Sequence, residues 1–142
     1  MPIPSTELVA TAWLQQVPEM QADVGTELPK DPTTWPEGFI QVRAVGGTPG
    51  IYLPVRRPVV QVDCWAATPG SPEPPWGLAS HLGALILAAT YSAGPRLTEL
   101  PDLFGTVRVQ SAYVVSEPRR IPSDEARFAR VQFDLQLHWS AA

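Results

Sequence analysis

Few residues in this 142-residue chain have the chemistry of a reactive site. The histidines are His81 and His138, and the thiol is Cys64. A zinc site needs three or four nitrogen or thiolate ligands at short spacings, and no His-x-x-His or Cys-x-x-Cys is present. No metal ligand set is assigned, and both histidines read as surface or interface groups. Cys64 falls on the apolar side of an alternating stretch, where a thiol is an inert packing group. A Cys–His nucleophile would need one of the histidines beside it. Asp63 and Asp134 would form a carboxylate pair for acid–base work only if strand register set them opposite each other. Otherwise they are solvated charges. Gly46-Gly47-Thr48-Pro49-Gly50 has the glycines of a phosphate loop but lacks the Gly-Lys-Ser/Thr leading into a helix. It reads as a turn, or as an arm touching a partner. No catalytic residue and no cofactor is expected.

The remaining chemistry is in arginine and tryptophan. The doublets Arg56-Arg57 and Arg119-Arg120 fall in stretches read as loops. They are either solvated charges or bidentate partners for carboxylates on an adjacent subunit, with the acidic stretch Glu19–Glu27 as a complement. Phosphate contact with passing DNA is a third, weaker option. Trp and Arg are enriched at interface hot spots. The candidate interface residues are therefore Tyr52, Arg56, Arg57, Trp76, Arg119 and Arg120. The segments 46–58 and 67–75 are candidates for one side of a contact between copies.

Two helices and four strands are predicted to position these groups. Ser5 caps a helix that runs to Gln16, with Glu7 in the first turn, where the helix dipole favours a negative charge. Residues 18–37 carry four prolines and read as a long ordered loop pinned by Trp35. Phe39 to Val45 alternates, with Ile40, Val42 and Ala44 on one side, and reads as a half-buried strand. Val59 to Ala66 is the second strand, with Val60, Val62, Cys64 and Ala66 on its apolar side. Pro75 opens a helix over about Trp76 to Ser92, striped by Leu78, Leu82, Leu85, Ile86 and Ala89. Gly105 to Val115 is the third strand, with Val107, Val109, Ser111, Tyr113 and Val115 on one face. Ala129 to Trp139 is the fourth and has the clearest alternation. One wet face and one buried face imply an antiparallel sheet. The expected fold is α+β in the order α-β-β-α-β-β, with both helices on one face of a four-stranded antiparallel sheet and long proline-rich loops. The polar face also carries Phe39, Val59, Trp65 and Ala112, so a neighbouring subunit could cover it.

Composition narrows the class. The length fits one domain, 1–142. Seventeen prolines exclude a helical bundle, because each interior proline costs a helix about 3 kcal/mol. Five tryptophans among the prolines argue against disorder. Net charge is −4, with nine arginines and one lysine, Lys30, which leaves too little excess cation for a sequence-independent nucleic-acid binder. No apolar run reaches the ~20 residues of a bilayer span, and Met1–Ala12 lacks the pattern of a signal peptide. The expected location is the cytoplasm.

Several strings carry a family resemblance. They are Pro4-Ser5-Thr6-Glu7-Leu8-Val9-Ala10-Thr11-Ala12-Trp13-Leu14, Thr34-Trp35-Pro36-Glu37-Gly38-Phe39-Ile40-Gln41-Val42, the run Val45 to Ala66, and Pro74-Pro75-Trp76-Gly77-Leu78-Ala79. Together they resemble the small tail-terminator proteins of long-tailed phages infecting actinobacteria, through about Ala89. The resemblance implies a virion structural protein at the tail–neck junction, assembled in host cytoplasm. It implies a homo-oligomeric ring, commonly of six copies, that caps the tail tube and ends its polymerisation. Its partners would be the tail tube protein and a head-completion or adaptor protein, with DNA passing through the lumen without specific binding. The alternatives are a head–tail adaptor of the neck and, from a different class, a small ligand-binding or enzymatic α+β domain.

Overall fold

The computed structural model describes residues 4–49, 56–68, 73–92, 95–101, 104–122 and 128–141. Ser5 is extended, and its hydroxyl accepts the Leu8 N–H at 3.2 Å, so helix α1 (Thr6–Gln15) starts at the expected cap. Helix α2 spans Trp76–Ser92. Its inward stripe is Ala79, Leu82, Ile86 and Ala89, a spacing of 3, 4 and 3 that keeps one face of a 3.6-residue helix buried. The strands are β1 (Asp23–Gly25), β2 (Phe39–Pro49), β3 (Arg56–Ala67), β4 (Arg96–Glu99), β5 (Thr106–Val114), β6 (Arg119–Arg120) and β7 (Phe128–Ala141). One turn of 3-10 helix, Pro32–Thr34, precedes β2.

The strands form one mixed seven-stranded sheet in the order β1-β2-β3-β7-β5-β4, curled into a half-barrel. β6 pairs with β7 beyond the end of β5. Both helices lie on the concave side. α2 crosses β3, β7 and β5, while α1 touches β1 and β2 at one edge and β4 at the other. The sheet thus wraps far enough for one helix to reach both edges. At the β4 edge, the Thr98 hydroxyl lies 3.3 Å from the Gln16 amide oxygen, and the Arg96 guanidinium stacks on the Trp13 ring at 5.8 Å. The core between the layers combines Val9, Trp13 and Leu14 of α1 with the inward residues of the sheet, among them Val60, Val62, Phe133, Leu135 and Leu137.

This corrects the expected four-stranded antiparallel sheet in α-β-β-α-β-β order. The four long strands are present as neighbours, β2-β3-β7-β5, and each adjacent pair is antiparallel. The sheet is larger because β1, β4 and β6 extend it, and β1 joins β2 in parallel. Strands of three, four and two residues are too short to display a period of two. They form because the long strands offer unpaired backbone at their flanks, which must find partners or water.

Strand ends and phase also differ. β2 does not stop before Gly46 but continues to Pro49 through a bulge between Ala44 and Gly46. A second bulge, between Val109 and Ser111, shifts the phase of β5. Val107 and Val109 face inward as expected, but beyond the bulge Ala112 is buried while Tyr113 and Val115 are exposed. Gly38 turns the chain into β2 at φ +96°, and a Cβ there would lie 2.6 Å from Leu82 Cδ1 and 3.0 Å from the Trp65 carbonyl oxygen. Glycine is therefore required on both conformational and steric grounds.

Phe133, fully buried beneath α2, should lose about 3–5 kcal/mol of stability on change to Ala. Tyr113→Ala, on the outer side of the bulge, should cost under about 1 kcal/mol. Chemical denaturation measures both, and equal losses would contradict the shifted phase of β5.

Candidate functional site

The convex face of the sheet concentrates the polar chemistry. Alternation aims Asp63 of β3 and Arg130 and Gln132 of β7 outward, and the β3–β7 register sets Asp63 beside Gln132 and Trp65 beside Arg130. Asp63 is 1% exposed. Its Oδ1 accepts from Arg130 Nε at 3.1 Å and from Gln132 Nε2 at 3.0 Å, and its Oδ2 from Arg130 Nη2 at 3.3 Å. Gln132 Oε1 accepts in turn from Arg119 Nη2 at 2.7 Å. The Arg130 guanidinium lies 4.9 Å from the Trp65 ring centroid, a cation–π distance. Trp65 Nε1 donates to Gln41 Oε1 at 3.0 Å, and Gln41 Nε2 donates to the Thr26 carbonyl at 3.3 Å. The carboxylate is thus saturated by a fork and an amide. Such a network holds a buried charge in place; its oxygens are not presented to a substrate.

The chain's own 26–38 segment covers one end of this face. Trp35 is buried against Phe39, Trp65 and Ala67, with Leu28 and Phe128 alongside. Its ring meets Phe128 edge-on at 5.5 Å, and its Nε1 donates to the Pro29 carbonyl at 3.1 Å. The expectation that Trp35 pins this segment holds. The apolar patch on the polar face is therefore partly sealed within the chain itself. The other end, with Gln61, Gln136, His138 and Tyr113, stays partly or fully exposed.

The residues singled out in the sequence do not gather at one place. Asp63 and Asp134 are not opposed, since Asp134 lies beside Gln61 in the register. Cys64 points inward and is fully buried. Burial, and then the Asp63 charge, push its thiol far above its ordinary pKa, the reverse of an activated nucleophile. His81 is exposed on α2, while His138 lies half-buried with its ring 5.7 Å from Tyr113. Among the described residues, no three His, Cys, Asp or Glu side chains gather within reach of one metal ion.

The interface candidates divide into two groups. Arg119 and Arg120 form β6 rather than a loop, and Arg120 stacks over the Trp76 ring at 4.9 Å. Arg120 and Trp76 are thus brought together at the start of α2, while the Arg119 guanidinium reaches Gln132. Arg119, Arg120 and Glu117 also line a groove of about 360 Å³ against Ser80, Ala84 and Leu87 of α2. Arg56 and Arg57 likewise lie in a strand rather than the expected loop: they open β3, paired with β2, where Arg57 is exposed and its carbonyl accepts from Gln136 Nε2 at 3.4 Å. Tyr52 lies outside the described residues, as do residues 50–55 and 69–72 of the expected contact segments.

Sequence alone offers Asp63 as a catalytic candidate or a solvated charge, and the structure shows neither but a saturated network. Its signal was the set of outward polar residues on two alternating strands, but the register that joins them is tertiary information.

Two outcomes check this assignment. Arg130→Leu leaves a buried carboxylate without its cation and should destabilise the fold by about 3 kcal/mol, read by urea denaturation; a loss below about 0.5 kcal/mol would remove the network from the structure. Cys64 should resist iodoacetamide at pH 8 in native buffer and react fully in denaturant. Because the folded thiol holds its proton more tightly than the unfolded one, its contribution to stability is present below the unfolded thiol's pKa and is lost as pH rises above it. No family model matches the chain, and no curated protein is significantly similar to it.

Proposed function

We propose that the chain is a ring-forming structural protein of a phage tail, which caps the tail tube and ends its polymerisation. The observation that carries this reading is the open half-barrel. Its sheet curls around α1 without closing, and along both edges it leaves strand backbone that no described strand pairs. Unpaired edges are templates for joining another chain. The segments most like tail terminators include α1, β2, β3 and the start of α2, the parts that form one edge and much of the scaffold. The saturated Asp63 network and the inward thiol fit a rigid part better than a reactive one. Among the described residues no helix is long and apolar enough to cross a membrane.

The mechanism is steric. Copies join head to tail through two different patches, the contact type that generates a ring when the rotation closes. The ring seats on the last tube ring and presents no surface for another, while its far side meets the head-completion protein. Arg57, exposed at the start of β3, and the Arg120–Trp76 stack are the rim candidates.

Electron microscopy of lysates from the encoding phage with an early nonsense codon in this gene tests the reading. Over-long tails beside unattached, DNA-filled heads are expected. Tails of normal length that fail to join heads would place the protein in the neck instead, and normal particles would overturn the structural role.

A further inference from the structure

We infer that the copies join edge to edge, the outer edge of β2 in one copy pairing in parallel with the outer edge of β4 in the next. This rests on the ring reading above and names the surfaces that make the ring. From β2 to β4 the order is β2-β3-β7-β5-β4, and every adjacent pair is antiparallel. Four reversals return the chain to its starting direction, so the two edges of one subunit run the same way. A second copy that extends the sheet with its convex face on the same side must therefore present β4 parallel to β2. Every copy then has the same polarity, as a ring that caps a tube requires. A flipped copy would set convex residues against concave ones.

The β2 edge already accepts a parallel strand. β1 pairs with it at Phe39, Ile40 and Gln41 only. The edge from Val42 onward has no strand partner among the described residues, and neither has the outer edge of the four-residue β4. The neighbour's β4 would continue the line of β1. The exposed side chains match. Val42 faces the core and Arg43 takes the outward position, where it is exposed; Val45, the extra residue of the bulge between Ala44 and Gly46, is 49% exposed. On β4, Thr98 is buried and faces Gln16, the residue that caps the end of α1, while Leu97 is 58% exposed and Glu99 is exposed. Each edge thus offers one large apolar residue and one exposed charge, and the charges are opposite. Placing Val42–Ala44 beside Arg96–Thr98 sets Arg43 and Glu99 one diagonal step apart, within reach of long side chains, and brings the exposed Val45 of the bulge to the same stretch of the seam as Leu97.

A charge swap in the full chain tests this, with mass read by light scattering across a concentration series. Arg43→Glu and Glu99→Arg should each raise the concentration needed for assembly by about tenfold or more, and the double swap should restore it to within about threefold. Both positions are exposed, and near-ultraviolet circular dichroism should stay unchanged. A double swap no better than the single changes, or single changes without effect on an assembling wild type, would overturn the edge pairing and leave the ring reading standing. In a second measurement, Val45→Cys mixed with Leu97→Cys should form disulfide-linked dimers on oxidation, with the buried Cys64 silent. Cross-linking within either variant alone would mean a two-fold contact and overturn the proposal. A wild type that stays monomeric, alone and on isolated tail tubes, would overturn both the edge pairing and the ring.

Discussion

The curl of the sheet around α1 is the constraint on which the rest depends. Val9, Trp13 and Leu14 are fully buried, and no flat sheet could cover a helix from two edges at once. Contact with β1 and β2 on one side and β4 on the other requires curvature, which bulges supply by adding local twist. One bulge sits in β2 and the other in β5, strands toward opposite flanks of the sheet. α1 occupies the interior of the curl. The architecture that makes the core also leaves strand backbone on both flanks without a strand partner among the described residues.

The convex face solves a different problem. β3 and β7 pair along most of their length at the centre of the sheet, and a strand with one dry side still has to satisfy its other side. One end is sealed by Trp35 and its aromatic neighbours, and the middle by the fork of Arg130 on Asp63. A buried ion pair adds little net stability over apolar packing, but breaking it is costly. Its effect here is to fix register, because a one-residue slip would leave Asp63 without its arginine and turn Phe133 outward.

The long elements were legible in the sequence, for reasons that do not apply to the short ones. Ser5 and Pro75 marked helix starts, and the alternation from Ala129 to Trp139 marked β7. Local chemistry determines both signals. Three-residue β1 and two-residue β6 have no periodicity to read and exist only because β2 and β7 present backbone to them. The phase of β5 was wrong past Gln110 because Ser111, Tyr113 and Val115 form a plausible stripe, and a bulge leaves no composition signal there. Trp35 was read correctly as an anchor because so large an apolar ring in a proline-rich segment has to be buried. The Asp63 network needed the pairing of strands 67 residues apart, which alternation does not encode. The proposed pairing of Arg43 and Val45 with Leu97 and Glu99 needs the strand order, since the two pairs lie toward opposite ends of the sheet.

Together these features describe a rigid part with two like-directed edges, and in the proposed assembly its copies join head to tail until rotation closes the chain of copies. Class averages of the purified protein by electron microscopy, free and bound to tail tubes, test this most directly. Closed rings of one rotational symmetry are expected, all copies facing the same way, with sheet density continuous from subunit to subunit. Two-fold dimers, or subunits joined through their helices with the sheet edges facing solvent, would contradict it.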